Sequence, residues 1–260
     1  MFYRLKKLLK RTPLIKPIID STLKSLRPNY TYDEDGLATF HNCDFMKEEL
    51  FIEAYKLGEA TYKGSDSFME GAKLHWRVHV LCWAASQAKH MEGDFVECGV
   101  NRGWLSMSVM HYIDFARLNK KFYLLDTFRG FSDKYLTEGE KALGSISGSY
   151  QYKDCYESVR ETFKEFHNVE IIKGPVPETL QQVKSTKVCY LSIDMNCVIP
   201  EIAAAEFFWN KLVCGAVIIL DDYGWEGHHM QKKAFDDFSL KKGVKILSLP
   251  TGQGLIIKPF

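Results

Sequence analysis

From about residue 92 onward the chain alternates short apolar runs with longer amphipathic stretches, which predicts strands alternating with helices. Most of the apolar runs are continuous, as expected for a parallel sheet covered by helices on both faces. The predicted strands span residues 94–98, 121–126, 169–173, 188–194, 216–221, 244–249 and 254–258. The predicted helices span residues 104–117, 153–166, 177–183, 200–211 and 228–241.

The last two predicted strands are joined by only four residues, Pro250 to Gln253. This connection is too short for a parallel crossover, so these strands are predicted to form an antiparallel β-hairpin. Five βα units followed by a C-terminal hairpin resemble the Rossmann-like seven-stranded sheet of the S-adenosylmethionine-dependent methyltransferases. A nicotinamide-binding Rossmann domain differs because its sixth strand is parallel. The predicted fold class is therefore α/β with a C-terminal antiparallel hairpin.

The N-terminal third lacks this alternation and is predicted to be a mostly helical extension. Its clearest amphipathic stretches are residues 46–55 and 76–89. The predicted organisation is a basic arm over residues 1–30, a helical cap or oligomerisation region over 31–91, and a catalytic domain over 92–260. A cluster of His75, Trp76, Arg77 and His79 is interpreted as packing of a helix face, with a substrate lid as the alternative.

Overall charge excludes a generally basic nucleic-acid binder, because 34 Lys and Arg stand against 33 Asp and Glu. Residues 1–30 are the exception, with eight basic residues and one acid. This arm is predicted to be solvated or to contact another subunit, and the alternative is peripheral membrane contact through residues 1–27. The near-continuous apolar run over 212–220 is too short to span a bilayer.

The seven cysteines form no CxxC pair, are odd in number and lie partly inside apolar runs. Such a pattern favours a reducing compartment, so a cytoplasmic location is predicted.

Candidate chemistry begins at the first strand-to-helix turn, where residues 97–103 have the pattern ExGxxxG. Gly99 and Gly103 allow positive φ and close backbone approach, so a ligand is expected to lie against this turn. The spacing differs from the dinucleotide pattern GxGxxG and fits better a ligand with a sugar and an amino-acid tail. The next strand ends at Asp126, an acid placed to accept the two ribose hydroxyls of a nucleoside.

Three further acids follow the fourth and fifth strands, namely Asp194, Asp221 and Asp222. In this topology the two strands are neighbours and their carboxyl ends face the ligand crevice. Carboxylates that converge repel one another, so a hard cation such as Mg²⁺ is the expected partner. The alternative is that Asp221 caps a helix while the other two acids are solvated.

The sequence resembles the macrocin O-methyltransferase family over residues 70–260. The resemblance rests on residues 93–103 (GDFVECGVNRG), 126–131 (DTFRGF), Gly174 with 178–180 (ETL), and 221–224 (DDYG). It implies Mg²⁺-dependent methyl transfer from S-adenosylmethionine to a sugar hydroxyl, with metal ligands Asp194, Asp221 and Asp222. It also implies a cofactor site lined by Glu97, Gly99, Val100, Asn101, Gly103, Asp126, Phe128 and Gly174.

One position departs from the family pattern, since members typically carry an Asp where this chain has Asn196. An amide cannot take a proton, so the general base must be found elsewhere. The candidates are Asp194, a solvent relay, and a histidine of the following loop, above all His228, because imidazole titrates near neutral pH.

The predicted function is thus a cytoplasmic O-methyltransferase acting on a small-molecule hydroxyl, preferably of a sugar. The alternatives are a catechol-like acceptor and a non-catalytic protein that binds the cofactor. Homo-oligomerisation through the N-terminal third is also expected.

Overall fold

The computed structural model describes residues 29–65, 67, 69–143 and 153–260. The chain divides into two compact units, residues 1–43 and 44–260. Because the description begins at residue 29, the predicted basic arm over residues 1–30 and its predicted membrane contact lie outside the described residues, apart from residues 29 and 30. Within the described segments, no helix has both the length and the apolar character needed to cross a bilayer.

The described part of the first unit contains a two-stranded antiparallel hairpin, β1 (Tyr32–Glu34) and β2 (Leu37–Thr39). Asp35 and Gly36 turn the chain with φ values of 50° and 74°, the positive angles that a tight two-residue hairpin turn requires. The prediction of a mostly helical segment over 31–91 misses this hairpin. Its strands have three residues each, which is too short for a period of two to be visible.

The second unit contains a seven-stranded sheet. Its strands, in spatial order, are β5 (Val169–Lys173), β4 (Phe122–Asp126), β3 (Asp94–Cys98), β6 (Val188–Ile193), β7 (Leu212–Leu220), β9 (Gly254–Ile257) and β8 (Leu247–Ser248). The first five are parallel, and β9 pairs antiparallel with both β7 and β8. The predicted fold class, including the C-terminal hairpin, is confirmed.

Strand order reverses at β3, because the chain continues first to β4 and β5 on one side and then to β6 and β7 on the other. In open α/β sheets a reversal of this kind opens a crevice at the carboxyl ends of the two strands that flank it. Here those ends are Cys98 of β3 and Ile193 of β6, which are register partners.

The α-helices are α1 (Glu49–Ala60), α2 (His75–Ala88), α3 (Trp104–Tyr112), α4 (Glu138–Leu143), α5 (Tyr156–Phe163), α6 (Val198–Trp209) and α7 (His229–Lys242). Helix α1 packs on α3, and α2 packs on α3, β6 and β7. Alternate residues of the sheet serve its two faces. Val96 and Cys98 join the core formed with α6 and α7, whereas Glu97 faces α3 through Ser106.

Predicted boundaries are confirmed to the residue for β3 and β5 and differ elsewhere by local geometry. The predicted helix over 104–117 ends at Tyr112, because Asp114 adopts a left-handed conformation with φ 55° before a short 3₁₀ turn. The predicted strand over 244–249 is reduced to Leu247–Ser248. All seven cysteines are free thiols, and only Cys214 is exposed, while Cys43 is partly exposed.

Candidate active site

The loop between β3 and α3 is shaped by close packing against the protein's own chain. Gly99 has φ 93°, and a Cβ atom there would lie 1.9 Å from the carbonyl oxygen of Asp194. Gly103 has φ 88°, and a Cβ atom there would lie 2.5 Å from the ring of Phe163. Both positions therefore demand glycine for packing as well as for backbone conformation. The predicted ligand contact at these two glycines stays a prediction.

Asp126, at the end of β4, holds this loop. Its Oδ2 accepts hydrogen bonds from the amides of Val100 and Asn101, both at 2.7 Å. Its Oδ1 accepts one from the amide of Phe128 at 2.6 Å and one from the Thr127 hydroxyl at 3.3 Å. A carboxylate offers about four acceptor sites, so these four donors occupy it. Asp126 thus fixes the loop, and its predicted role toward ribose hydroxyls stays a prediction.

Glu97 is buried at the crevice, with 1% of its surface exposed. Its Oε2 accepts a short hydrogen bond from the Ser106 hydroxyl, while Oε1 has no hydrogen-bond partner in the structure. Burial is the main cause that raises the pKa of this carboxyl to about 8, and the charges of Asp221 and Asp126 act in the same direction. A buried acceptor without a donor is costly, so Glu97 is suited to a ligand that brings a donor or a positive charge.

Phe128 and Gly174, both predicted to line the cofactor site, lie beside Asp126. Phe128 has φ 56°, is almost fully buried and packs its ring 5.4 Å from that of Tyr156. The amide of Gly174 donates to the carbonyl oxygen of Asp126 at 2.9 Å. Together with Val100 and Asn101 they form one continuous group, so the structure brings the predicted cofactor residues together.

The three predicted metal ligands converge at the ends of β6 and β7. One carboxylate oxygen from each of Asp194, Asp221 and Asp222 lies within 4.8 Å of the other two. Burial raises the pKa of Asp194 well above its usual range, and the charges of Asp221 and Asp222 raise it further, whereas Arg77 lowers it. We call these three side chains the acid cluster.

Arg77, in the first turn of α2, reaches into the acid cluster. Its Nη1 donates a short hydrogen bond to Oδ2 of Asp221 and lies 3.4 Å from Oδ1 of Asp222. The guanidinium carbon lies 4.6 Å from the centre of the Trp225 ring. The interpretation of the 75–79 cluster as helix-face packing therefore describes the burial of Arg77 but misses its contact with the site.

The C-terminal hairpin holds the other side of Asp221. The side-chain Nε2 of Gln253 donates to Oδ1 of Asp221 at 2.9 Å, and the Thr251 hydroxyl donates to the side-chain Oε1 of Gln253 at 2.9 Å. Asp221 is only 5% exposed. Both of its oxygens are thus bound by side chains from distant parts of the chain.

The loop after β6 is held by two buried glutamates. Glu201 accepts a hydrogen bond from the amide of Met195 at 3.2 Å, and Glu140 accepts one from the amide of Val198 at 2.7 Å. Asn196 has φ 58°, a conformation that asparagine tolerates well. Its amide lies 3.3 Å from Oδ1 of Asp194 and is oriented to donate to it. The residue that departs from the family pattern therefore supports Asp194.

Tyr62, which follows α1, also belongs to this crevice. It is 5% exposed, and its ring lies 5.7 Å from that of Trp104 at the start of α3. Burial and the nearby charge of Asp194 raise the pKa of its hydroxyl, while a hydrogen bond with the Arg102 backbone lowers it. Tyr62 is thus a second side chain of the N-terminal helical region that reaches the site.

His228, the predicted alternative base, stands at the residue before α7. Its Nδ1 lies 2.7 Å from the side-chain Nε2 of Gln231, and its own backbone amide donates to the carbonyl oxygen of Trp225. Among the described residues, the group of potential ligand atoms within 4.8 Å consists of the three acids and contains no histidine. The structure therefore places Asp194 in the acid cluster and His228 in the loop beside α7.

The residues present fit both groups that the sequence predicts. The acid cluster offers only carboxylate oxygens, the donors that Mg²⁺ prefers, and it brings three carboxyl groups together within 4.8 Å beside the guanidinium of Arg77. The orphaned Oε1 of Glu97 is a buried acceptor that a cationic or hydroxyl-bearing ligand would satisfy.

The reversal of strand order, the loop between β3 and α3 that contains Gly99 and Gly103 (the glycine loop), and the terminal hairpin define a Rossmann-like methyltransferase fold. The family model for macrocin O-methyltransferases, TylF, matches residues 67–247, which is more than half of the chain. The protein therefore belongs to the macrocin O-methyltransferase family and is an O-methyltransferase. A search among curated proteins gave no significant match.

Solved structures with the same fold include the O-methyltransferase NovP, with 16% identity and a TM-score of 0.67 over 81% of this chain and 98% of NovP. They also include the calicheamicin methyltransferase CalS11, with 14% identity and a TM-score of 0.54 over 89% of this chain and 98% of CalS11. An apo structure of CalS11, described as a TDP-rhamnose 3′-O-methyltransferase, gives 13% identity and a TM-score of 0.50 over 84% and 96%.

Proposed function

We propose that the protein transfers a methyl group from S-adenosylmethionine to a hydroxyl of a sugar and that Mg²⁺ assists the reaction. The observation that carries this proposal is the acid cluster. It lies at the carboxyl ends of β6 and β7, and β6 is the direct neighbour of β3, the strand that leads into the glycine loop. The membership of the macrocin O-methyltransferase family and the fold similarity to CalS11, a TDP-rhamnose methyltransferase, support a sugar acceptor.

The methyl donor would bind along the glycine loop. Glu97 would accept a hydrogen bond from a donor group of the ligand through Oε1, the oxygen that has no partner in the structure. Asp126 holds the amides of Val100 and Asn101 in place, and with them the shape of the loop. A preorganised loop of this kind loses little conformational entropy when its ligand binds.

The acceptor hydroxyl would lie at the acid cluster. Asp194, Asp221 and Asp222 would hold Mg²⁺, which as a Lewis acid lowers the pKa of a hydroxyl and orients it. Arg77 and Gln253 fix Asp221 from two sides, so the orientation of this carboxylate is set by the fold. Orientation of the two reactants supplies much of the rate in such a transfer.

In the reaction, the acceptor oxygen forms a bond to the methyl carbon as the bond between that carbon and the sulfonium sulfur breaks. The donor leaves as a neutral thioether, and the hydroxyl proton passes to a base of the protein. Asp194 is our candidate for this base because it lies in the acid cluster, and His228 is the alternative. Asn196 would assist by donating its amide hydrogen bond to Asp194.

The test is methyl transfer from labelled S-adenosylmethionine to a panel of nucleotide sugars, free glycosides and catechols, with Mg²⁺ or with EDTA. We expect transfer to a sugar that EDTA abolishes and that Asp222→Asn lowers strongly. Transfer confined to catechols would replace the sugar by the alternative acceptor. Transfer that is indifferent to EDTA would contradict the role of the metal. A cytoplasmic location, homo-oligomerisation and membrane contact through residues 1–27 stay predictions.

A further inference from the structure

The chain itself places a positive charge, the guanidinium of Arg77, in contact with the acid cluster. Arg77 is 7% exposed, and its Nη1 makes a short contact to Oδ2 of Asp221, one of 3.3 Å to the Asp221 backbone carbonyl oxygen and one of 3.4 Å to Oδ1 of Asp222. Two of the three proposed metal ligands therefore already share a cation.

The position of Arg77 is fixed from outside the cluster. Its guanidinium carbon lies 4.6 Å from the centre of the Trp225 ring, in the loop that follows Asp222. Its helix, α2, packs against β6 and β7, the strands that end at the acid cluster. A planar guanidinium that stacks on a ring and donates to carboxylates cannot be replaced by lysine without loss of geometry.

We infer that Arg77 is a positioning residue that serves as an internal counter-cation, so that it holds Asp221 and Asp222 in place and competes with the divalent metal for their charge. This inference rests on the proposed function, because it concerns the same metal site. Under this inference, Arg77 of the N-terminal helical region sets the affinity of the site for the metal.

The positive charge of Arg77 sets the direction of its effect on Mg²⁺ affinity. At separations of a few ångströms in a partly buried site, the repulsion between a guanidinium and a divalent cation is strong. Removal of the Arg77 charge takes away the guanidinium that contacts Asp221 and Asp222, and like charges in such a site destabilise the protein. The variant should therefore gain affinity for Mg²⁺ while the metal-free protein loses stability.

The experiment compares Arg77→Gln, which removes the charge but can still donate a hydrogen bond, with Arg77→Lys, which keeps the charge. Metal binding is measured by titration calorimetry with MgCl₂ alone, and thermal unfolding is followed with and without Mg²⁺. We expect Arg77→Gln to bind Mg²⁺ at least tenfold more tightly than the wild type and to show a larger metal-induced rise in melting temperature. For Arg77→Lys we expect an affinity within about threefold of the wild type and a lower rate of methyl transfer.

The matched control is Lys120→Met. Lys120 also uses a partly buried cation to hold the chain, because its Nζ donates to the carbonyl oxygens of Met91 and Gly93, before the first strand of the sheet. It acts at the opposite end of the strands from the acid cluster. Its loss should lower the melting temperature without changing the affinity for Mg²⁺.

The outcomes separate this inference from the proposed function. Equal Mg²⁺ affinity in Arg77→Gln and wild type, or weaker affinity in the variant, would overturn the inference and leave the metal site in place. Binding in the variant alone would support the inference and remove Mg²⁺ from the wild-type reaction. Absence of binding in both proteins would overturn both. An Arg77→Gln protein that does not fold even with Mg²⁺ would also overturn the inference, because the ion should replace the lost charge.

Discussion

Two carboxylate-centred regions lie on opposite sides of the crevice, and they differ in how their charge is satisfied. Asp126 accepts four hydrogen bonds from its own neighbourhood, three of them from backbone amides. The acid cluster brings three carboxylates within 4.8 Å and contains one guanidinium. The first region is complete without a ligand, while the second carries more negative charge than the described residues around it are seen to balance.

This difference distinguishes a carboxylate with a structural role from carboxylates that are arranged to bind a ligand. A carboxylate whose acceptor sites are filled by backbone amides stabilises a loop and acts on a ligand through the shape of that loop. Carboxylates that converge without enough cations repel one another and raise one another's pKa. Such groups are typical of sites where a bound metal or ligand offsets the repulsion. Under the proposed function, the side that would bind the methyl donor is preformed, whereas the side that would bind the acceptor depends on a metal or a ligand.

Neutralising Asp194 should have the largest effect. We expect Asp194→Asn to lower the rate of methyl transfer by about 100-fold or more, because the variant loses both a metal ligand and the candidate base. The melting temperature of the metal-free protein should stay the same or rise, since burial and the charges of Asp221 and Asp222 already raise the pKa of this carboxyl.

The measurements are initial rates with labelled donor and thermal unfolding in EDTA. The matched control is Asp237→Asn, which removes an exposed acid paired with Lys233 on α7. A variant that keeps more than a tenth of the wild-type rate would show that Asp194 is neither the base nor a necessary ligand.

Asp126→Asn should produce the second largest effect, on the donor side. One of the two side-chain oxygens becomes an NH₂ group that faces backbone amides, so at least one amide loses its acceptor. We expect a loss of about 1–3 kcal/mol in stability and roughly tenfold weaker binding of the product analogue S-adenosylhomocysteine.

Urea unfolding and titration calorimetry measure the two quantities for Asp126→Asn. Mg²⁺ binding serves as the internal control, because it should be unchanged. Unaltered stability together with weakened donor binding would contradict the loop-holding role and favour direct contact between Asp126 and the ligand.

Glu97 makes stability depend on pH, because it is a buried acid whose Oε1 has no hydrogen-bond partner among the described residues. Its pKa rises from the usual 4.5 to about 8 in the folded protein. Folding therefore favours the protonated form, so stability is fully present below about pH 4.5 and falls as the pH rises toward 8. At 1.36 kcal/mol per pH unit, the free energy of unfolding decreases by on the order of 3 kcal/mol between pH 4.5 and neutral pH.

Glu97→Gln removes this titration. The stability of the metal-free wild type relative to the variant, from urea unfolding at pH 4.5 to 8, should therefore decrease across the series. Parallel curves for the two proteins would show that Glu97 is ionised in the fold at all these values. Ser106→Ala is a matched variant that keeps the carboxyl but removes its hydrogen bond.

His228→Gln should have the smallest effect. Because Nδ1 of His228 pairs with Gln231 outside the acid cluster, we expect the rate of methyl transfer to change by no more than about threefold. Rates measured across pH 6 to 9 provide the check. A loss of 100-fold or more would move the role of the base from Asp194 to His228.

Much of the fold could be predicted because it depends on local patterns. The short segments of β3 and β5, each with three apolar residues among five, predict these strands to the residue, and the short connection before Gly254 predicts the antiparallel hairpin. The hairpin at Asp35 and Gly36 is not predicted, since three-residue strands carry too little periodicity. The spacing of Asp194, Asp221 and Asp222 on neighbouring strands predicts their convergence.

The contacts that hold these acids could not be predicted in the same way. Arg77 and Gln253 reach Asp221 from helix α2 and from the hairpin, and no spacing in the chain links them. A signal for Arg77 does exist, because it occupies the stripe of α2 that also contains the buried Leu81 and Ala85. A charged residue on a buried apolar stripe requires a partner of opposite charge, but the pattern does not say which acid supplies it.

The contact between Arg77 and Asp221 joins residues 144 positions apart in the chain, and the contact between Gln253 and Asp221 joins residues 32 apart. Contacts of long sequence separation must overcome a loop-closure entropy before they form, so we expect them to form late in folding. The carboxylates of this site therefore acquire their final arrangement only when α2 and the C-terminal hairpin have both docked on the sheet. Under the proposed function, the ability to bind Mg²⁺ would therefore report that folding is complete.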